Sequence, residues 1–356
     1  MRPPSQNPRG RGASENVPNR FETLHAEIDL DAEEAAYADD PRPLPTQILR
    51  DDSRSIISTN QSPDLSFDQS INPYRGCEHG CAYCYARPYH EFLGFSAGLD
   101  FESKIVAKPD APRLLREALS KPGYVPNKLA MSGVTDCYQP AEKSLRITRG
   151  CLEVLAEFRH PVAVITKNSL ITRDADLLAE LARYQAGAAL LSITTLDATL
   201  ARKLEPRAAS PRARLETVAT LAAAGIPVGV SIAPVIPCLT DHEIPAILQA
   251  AATAGATFAT YGIIKLPYGV KDIFKDWLAR HVSAEKAQAV LSRIGSLRGG
   301  EGRLHDSTFG QRFKGVGPHA EQIARLFRIT ARRHGFERIR PDLTADHFRP
   351  VQGFLF

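Results

Sequence analysis

Three cysteines, Cys77, Cys81 and Cys84, fall within eight residues in the stretch NPYRGCEHGCAYCYARPY that runs from Asn72 to Tyr89. Their spacing is Cys-x3-Cys-x2-Cys. Thiolates are soft ligands that select iron–sulfur clusters, zinc or copper(I) over hard cations. Four cysteines normally saturate a [4Fe–4S] cube, so three would leave one iron with an open position for a substrate or cofactor. The same thiolates could enter a zinc site with His79 or His90 as the fourth donor. Zinc sites favour a close ligand pair joined by a second, distant pair, and no two of Cys137, Cys151 and Cys238 make one. A disulfide framework suits a short secreted domain, not 356 residues with six scattered cysteines, and no secretory leader is read at the start.

Composition bounds the setting. Apolar residues make up 43% and charged residues 24% of the chain, as in soluble globular proteins. No apolar run approaches membrane-spanning length, so a cytoplasmic protein with no membrane partner is expected. The formal net charge is +4, but it is unevenly spread. From Arg293 to Phe356 there are 12 Lys and Arg against 6 Asp and Glu, while the first 292 residues carry 32 against 34. The basic C-terminal segment leaves nucleic acid open as a partner.

The elements that would position the cysteines follow from periodicity. Residues 1–63 read as a flexible tail and connector: the first twenty are rich in Pro, Gly, Ser, Asn and Arg and cannot bury enough surface to offset ordering entropy. The acidic run EIDLDAEEAAYADD reads as a short solvated helix. From Asp64 apolar runs alternate with amphipathic stretches. Strands are predicted at 65–72, 128–134, 162–167, 188–194, 227–233 and 258–264. Helices are predicted from the cysteine loop towards Phe92, and at 111–120, 145–159, 174–184, 211–224 and 242–254. Six βα repeats fit a barrel-like or a doubly wound parallel sheet, and periodicity does not choose. Residues 268–356 read as a basic helical region, with helices at 272–281, 284–297 and 318–334. The last of these has an apolar face of Ile323, Leu326, Phe327 and Thr330.

The cysteine spacing, with aromatic Tyr83 directly before Cys84, resembles the signature loop of the radical S-adenosylmethionine (SAM) superfamily. The longer string from Arg75 to Arg87 is similar to the branch grouped with spore photoproduct lyase and labelled DNA repair photolyase-like. The resemblance implies an α/β fold, a six-stranded partial (β/α)6 TIM-like barrel, over residues 64–267. It also implies a [4Fe–4S] cluster whose open iron chelates the amino and carboxylate groups of SAM. In the family, one electron splits the sulfonium and leaves a 5′-deoxyadenosyl radical that abstracts hydrogen. An electron donor such as flavodoxin or ferredoxin is implied as partner. The substrate is open: a DNA lesion in a lyase or repair reaction, RNA, a protein or a small metabolite. A non-enzymatic zinc-containing nucleic-acid-binding protein is the reading of another class.

In parallel α/β folds ligands gather at the C-terminal ends of the strands, so the residues there are the candidates. The resemblance places Tyr83 against adenine. Thr135 and Asp136 follow the second strand, where a Thr-Asp-x-Tyr-Gln-Pro variant of the branch stands where the family binds SAM's amino group; a plain turn cap would use the same residues. Lys167 puts a cation at the mouth of the third strand, suited to a carboxylate or phosphate. Ser192 and Thr194 alternate on the fourth strand, where the family binds ribose and carboxylate, and Ser231 lies on the fifth, which packs against adenine. Arg202 and Glu205 belong to a further branch motif and either contact SAM or substrate or form a surface ion pair. Glu78 and His79 sit in the cysteine loop, where a histidine can tune a cluster by hydrogen bonding. Asp100-Phe101-Glu102-Ser103-Lys104 also matches the branch, with no role readable from sequence. Cys137 and Cys238 follow the second and fifth strands and are candidate hydrogen donors, since a thiol serves that role in spore photoproduct lyase. Free cysteines are more often small buried hydrophobes, and Cys151 reads as core.

Overall fold

The computed structural model describes residues 10–21, 44–65, 67–300, 302–336 and 340–350. The chain enters through strands β1 (Gln47–Arg50), β2 (Ile57–Thr59), β3 (Gln69–Ile71) and β4 (Tyr74–Arg75). The cysteine loop follows, then helix α1 (Leu99–Ser103), strand β5 (Lys104–Ala107) and helix α2 (Ala111–Leu119). Strand and helix then alternate through β6 (Leu129–Met131), α3 (Glu142–Leu145), α4 (Ile147–Phe158), β7 (Val162–Thr166) and α5 (Ala175–Ala182). They continue with β8 (Gly187–Ser192), α6 (Ala198–Leu204), α7 (Pro211–Ala223), β9 (Val228–Val235), α8 (Ile244–Thr253) and β10 (Phe258–Ile263). Three helices close the chain: α9 (Val270–His281), α10 (Ala284–Leu297) and α11 (Gly317–Arg333).

The larger sheet has the order β10-β9-β8-β7-β6-β3-β2. Six of its strands, β3 and β6 to β10, are parallel and neighbour one another in chain order, and β2 runs antiparallel on β3. Parallel neighbours joined through helices bring all their C-terminal ends to one rim. Among the described residues β2 and β10 do not pair, so the sheet is open. Val162 and Val164, Ala188, Ala189 and Leu191, and Val228, Val230 and Ile232 are fully buried. Helices cover both faces of such strands, which is why they read as near-continuous apolar runs. The last four predicted strands accordingly agree with β7 to β10 to within two residues at each end. Helix α7 shows the matching start and stop: the Ser210 side chain accepts from the Ala213 N–H at 3.2 Å, Pro211 opens the helix, and Gly225 at φ +77° follows its end.

At the β10 edge, the backbone of Phe313 accepts from the Ile263 N–H at 2.8 Å, and the Phe327 ring of α11 lies 4.7 Å from that of Tyr261. The edge strand is thus covered. The buried face of α11 is Ala320, Ile323, Phe327, Thr330 and Ala331, whereas Leu326 is exposed. Four strands and three helices carry no clear period and lie outside the predicted elements: β1, β2, β4, β5, α1, α3 and α6. Each is seven residues or fewer, too short for a pattern. Of these, β1, β5 and β4 form a separate three-stranded sheet.

Two expectations are corrected. The helix predicted within the cysteine loop is a series of turns with two 3₁₀ segments, Arg87–Tyr89 and Glu91–Leu93. Pro88 interrupts it, and the Arg87 side chain is spent on the carbonyls of Cys81, Ala97 and Gly98, each at 3.0 Å. The segment read as a tail is packed where it is described, from Gly10 to Phe21; the acidic run lies outside the described residues. The cause is Glu102, wholly buried, whose carboxylate accepts the N–H groups of Gly12 at 2.9 Å and Ala13 at 2.8 Å and pairs with buried Arg87. The Arg11 guanidinium donates to the Glu102 carbonyl. A Cβ on Gly12 would lie 1.7 Å from the Gly80 carbonyl oxygen. Gly12→Ala is therefore expected to undock this segment from the cysteine loop at a local cost of about 1–3 kcal/mol. Hydrogen exchange of peptides covering residues 10–21 should speed up; unchanged protection would count against the docking.

Candidate active site at the strand rim

The loop that carries the cysteines lies across the C-terminal rim of the parallel sheet, because the residue that follows each successive strand reaches it. After β6, the Thr135 hydroxyl donates to the Gly76 carbonyl, and the Gln139 amide binds the same carbonyl at 3.3 Å and the Glu78 N–H at 2.9 Å. After β7, the Asn168 side-chain nitrogen is 3.2 Å from His79 Nε2. After β8, Thr194 Oγ1 is 3.3 Å from the Tyr83 hydroxyl. The Leu204 carbonyl then takes the Ala82 N–H at 3.0 Å.

Asp136 is the hub of the first half. It accepts from the Thr166 hydroxyl at 2.7 Å, the Lys167 N–H at 2.8 Å and the Tyr138 N–H at 2.9 Å, and its carboxylate is 3.3 Å from His79 Nδ1. Burial pushes its pKa up, but His79 and these donors outweigh it and hold it at about 2. The largely buried carboxylate is thus charged at neutral pH and fixes the loop's histidine. Both ring nitrogens of His79 are engaged by protein groups, which leaves neither lone for a zinc ion. His90 sits behind the loop between the rings of Phe95 and Phe101, at 5.2 and 5.6 Å. Burial pushes its pKa down to about 4, so the imidazole is neutral.

The second half is built on Glu205. Its carboxylate accepts from the Tyr83 hydroxyl, from Thr194 Oγ1 at 2.8 Å and from the Arg214 guanidinium. Arg214, on α7, also donates to the carbonyls of Ser192 and Ala209, both at 2.8 Å. All are buried. Lys167 Nζ stands 5.9 Å over the Tyr83 ring. Ser192 and Ser231 face each other in the register of β8 and β9, and Thr260 of β10 continues that row. Tyr83, Lys167, Thr194 and Glu205 are thus brought together beside Cys81.

Other expected site residues are elsewhere. Arg202 is exposed on α6. Cys137 is corrected as a hydrogen donor: it is fully buried in the core with Ile147 and Leu152, and burial followed by Asp136 raises its thiol pKa well above the usual value. Its N–H and carbonyl are also tied, to Ser132 and Thr148 at 2.7 Å each. Cys238 is partly exposed, follows β9 and packs against the core cluster that holds Cys81 and Tyr83. Cys151 is buried in α4, as expected.

Sequence reasoning passed over Arg214, Gln139, Asn168 and Lys265. Gln139 lies in the Thr-Asp-x-Tyr-Gln-Pro string, Asn168 directly follows Lys167 at the end of the third strand, and Lys265 directly follows the sixth strand, so position alone could have found them. Arg214 gives no such signal, since a helical arginine normally faces water. Lys265 Nζ lies 4.0 Å over the Tyr85 ring and 4.4 Å over that of Phe313. Burial, then Arg312 and Arg298, push its pKa down to about 8.

The donor chemistry of the loop suits a cationic centre. All three thiols are free, Cys77 and Cys84 share a small apolar cluster, and Cys84 also packs with Cys81. Burial and then Asp136 raise the Cys77 pKa well above the usual value, with Cys81 and Cys84 adding to it. Burial, Glu205 and Cys84 take Cys81 to about 12 against the pull of Lys167. Thiols that resist ionisation, as those of Cys77 and Cys81 do, become thiolates when a metal centre supplies positive charge. Among the described residues no three His, Cys, Asp or Glu side chains are gathered around one point as a single ion needs. A [4Fe–4S] cube makes a different demand, taking each thiolate on its own iron.

A family model described as the Radical SAM superfamily matches residues 71–251, a span that contains the three cysteines and strands β6 to β9. The chain belongs to the radical SAM superfamily. Membership implies SAM and a [4Fe–4S] cluster as cofactors. An uncharacterized protein of Mycobacterium tuberculosis is 37% identical over 218 residues, 61% of this chain and 64% of that one. One of Methanocaldococcus jannaschii is 29% identical over 197 residues, 55% of this chain and 71% of that one. The chain thus spans 64% of the length of the mycobacterial relative. Spore photoproduct lyase complexed with dinucleoside spore photoproduct has a TM-score of 0.59 at 14% identity, covering 82% of this chain and 80% of that one. A mutant of that lyase with bound AdoMet and dinucleoside spore photoproduct has a TM-score of 0.58 at 14% identity, covering 90% and 86%. At that identity the likeness is one of fold. Among the described residues of this radical SAM protein, no helix is long and apolar enough to cross a membrane.

Proposed function

We propose that the chain is a cytoplasmic radical SAM enzyme that cleaves SAM reductively and abstracts hydrogen from a nucleic-acid substrate, in a lyase or repair reaction of the spore photoproduct lyase kind. The open arc of six parallel strands would be its partial TIM-like barrel, and a flavodoxin or ferredoxin its electron source. One observation carries the reading: the Cys77–Cys84 loop lies across the strand rim with Tyr83, Lys167, Thr194 and Glu205 beside Cys81. When bound, the cluster held by Cys77, Cys81 and Cys84 would supply the electron that breaks the sulfonium of SAM and so the radical that takes hydrogen.

The chain's own residues would do the rest. Tyr83 would lie against adenine, fixed by Glu205. Lys167 would meet the carboxylate of SAM, and Ser192, Thr194 and Ser231 would line the ribose side. Thr135 and Asp136 would act by positioning, because their polar atoms are taken up by Gly76, His79, Thr166 and Lys167. Cys238, partly exposed at the rim, would be the thiol placed to return hydrogen.

Anaerobic purification, cluster reconstitution and addition of SAM with dithionite test the reading. Bound iron and sulfide, with 5′-deoxyadenosine released, are the expected result. Zinc without sulfide, and no 5′-deoxyadenosine, would overturn it.

A further inference from the structure

Between the end of α10 and the segment 303–316 that precedes α11 lies a cleft of about 390 Å³ lined by Arg298, Arg303, His305, Ser307, Thr308 and Gln311, among others. Arg298 is only 2% exposed and forms no ion pair with a described residue, although the charge of Asp306 reaches it. Its terminal nitrogens donate to the carbonyls of Ile263 at 3.2 Å, Ile264, Gln311 at 3.4 Å and Arg312 at 3.0 Å. Its Nε is buried without a partner, as is His305 Nδ1. A guanidinium out of water, held by carbonyls and with an acid near it but not in an ion pair, has its charge only partly compensated. The one acid lining the cleft among the described residues is Asp306, which is turned to the Thr308 N–H at 2.8 Å. Arg303 is exposed and makes no side-chain hydrogen bond or ion pair with the described residues. Burial, Arg298 and Lys265 push the His305 pKa down against the opposing pull of Asp306.

A second observation lies at the lip. Phe309 is 58% exposed, and the Arg312 guanidinium stacks 4.8 Å from its ring centre. Arg312 is itself neutralised by Asp64 at 2.7 Å. Phe309 follows Thr308, which lines the cleft with Arg298 and Arg303, and an exposed aromatic face together with cations is the combination that receives a base and its phosphate. The same segment reaches the cysteine loop: Lys265 lies between the Phe313 ring and the ring of Tyr85, which follows Cys84.

We propose that this cleft anchors a nucleotide unit of the substrate, its phosphate taken by Arg298 and Arg303 and its base stacked on Phe309. The inference rests on the radical SAM reading only for calling that nucleotide a substrate; binding itself can be measured apart from turnover. The phosphate could belong to a single strand or to a free nucleotide.

The test uses the full-length, cluster-reconstituted protein without SAM or reductant. A fluorescein-labelled single-stranded oligothymidylate is titrated by anisotropy over a range of salt, with thymidine monophosphate as competitor. Arg303→Ala is expected to weaken the strand about fivefold or more at low salt and to lower the slope of log affinity against log salt by about 0.7. Phe309→Ala is expected to weaken it about fivefold or more with the salt slope unchanged. Arg298 is left in place because it also ties four carbonyls together, and unchanged melting temperatures check that both variants fold. Strand binding with these losses supports the proposal and names the strand as source. Monophosphate that binds as tightly as the strand, with the same losses, supports it with a free nucleotide as source. Affinity unmoved by both variants, or no binding by either probe, overturns it. Iron, sulfide and 5′-deoxyadenosine measurements report separately on the cofactor reading.

Discussion

Alanine in place of Cys81 is expected to abolish 5′-deoxyadenosine formation, by about 100-fold or more, and to strip most of the iron and sulfide from the reconstituted protein. Soft thiolates on one short loop are what would hold a cluster, and loss of one of three protein ligands leaves two irons instead of one without protein. Cys77→Ala and Cys84→Ala should behave alike. The fold should survive, since Cys81 packs at the edge of a large apolar core and removing a buried sulfur costs at most about 2 kcal/mol. Cys137→Ser supplies the contrast. That thiol is fully buried in a core cluster that holds none of the three loop cysteines, so the variant should lose stability and keep its iron. Iron and sulfide analysis beside a urea melt separates the two effects. Equal iron content in wild type and Cys81→Ala would remove the loop from the cofactor site.

What could be read in advance follows from how local each signal is. The cysteine loop was legible because three ligands of one chemistry sit within eight residues. The strands β7 to β10 were legible because burial on both faces leaves continuous apolar runs. The partners of the loop were not, because they are joined only by the fold. Tyr83 meets Glu205 across 122 residues, and nothing in Arg202-Lys203-Leu204-Glu205 tells which charge turns inward. The helix α6 decides it: Leu204 and Glu205 are buried while Arg202 and Lys203 are exposed. The residues from Gly10 to Phe21 failed as a prediction for a similar reason. Their composition is that of a tail, yet backbone N–H groups need no apolar side chain to dock on a buried carboxylate, and Glu102 provides one ninety residues away in sequence. The cleft beside Arg298 was invisible because a buried arginine and an exposed one look the same in a sequence.

Glu205→Ala should be among the most destabilising single substitutions at the rim, at about 3–5 kcal/mol, because it leaves the buried Arg214 guanidinium without its counter-charge. The double variant Glu205→Leu with Arg214→Met should recover most of that loss, since an apolar pair carries no desolvation cost. Acid gives an independent check. Burial alone would raise the Glu205 pKa, but Arg214, Lys167 and the Tyr83 hydroxyl outweigh it and hold the carboxyl at about 2, against an ordinary 4.5. A folded value below the unfolded one means the unfolded chain binds the proton first on acidification. The carboxylate therefore contributes its full stability above about pH 4.5, and that stability is lost as pH falls towards 2. In Glu205→Gln the pH dependence of unfolding free energy across this window should be shallower by up to about 1.4 kcal/mol per pH unit. Asp136, also held at about 2, keeps its own share of the slope in both proteins, so the difference isolates Glu205. Parallel curves for wild type and Glu205→Gln would show that folding does not lower the Glu205 pKa. The hold of the carboxylate on Tyr83 would then fall with it.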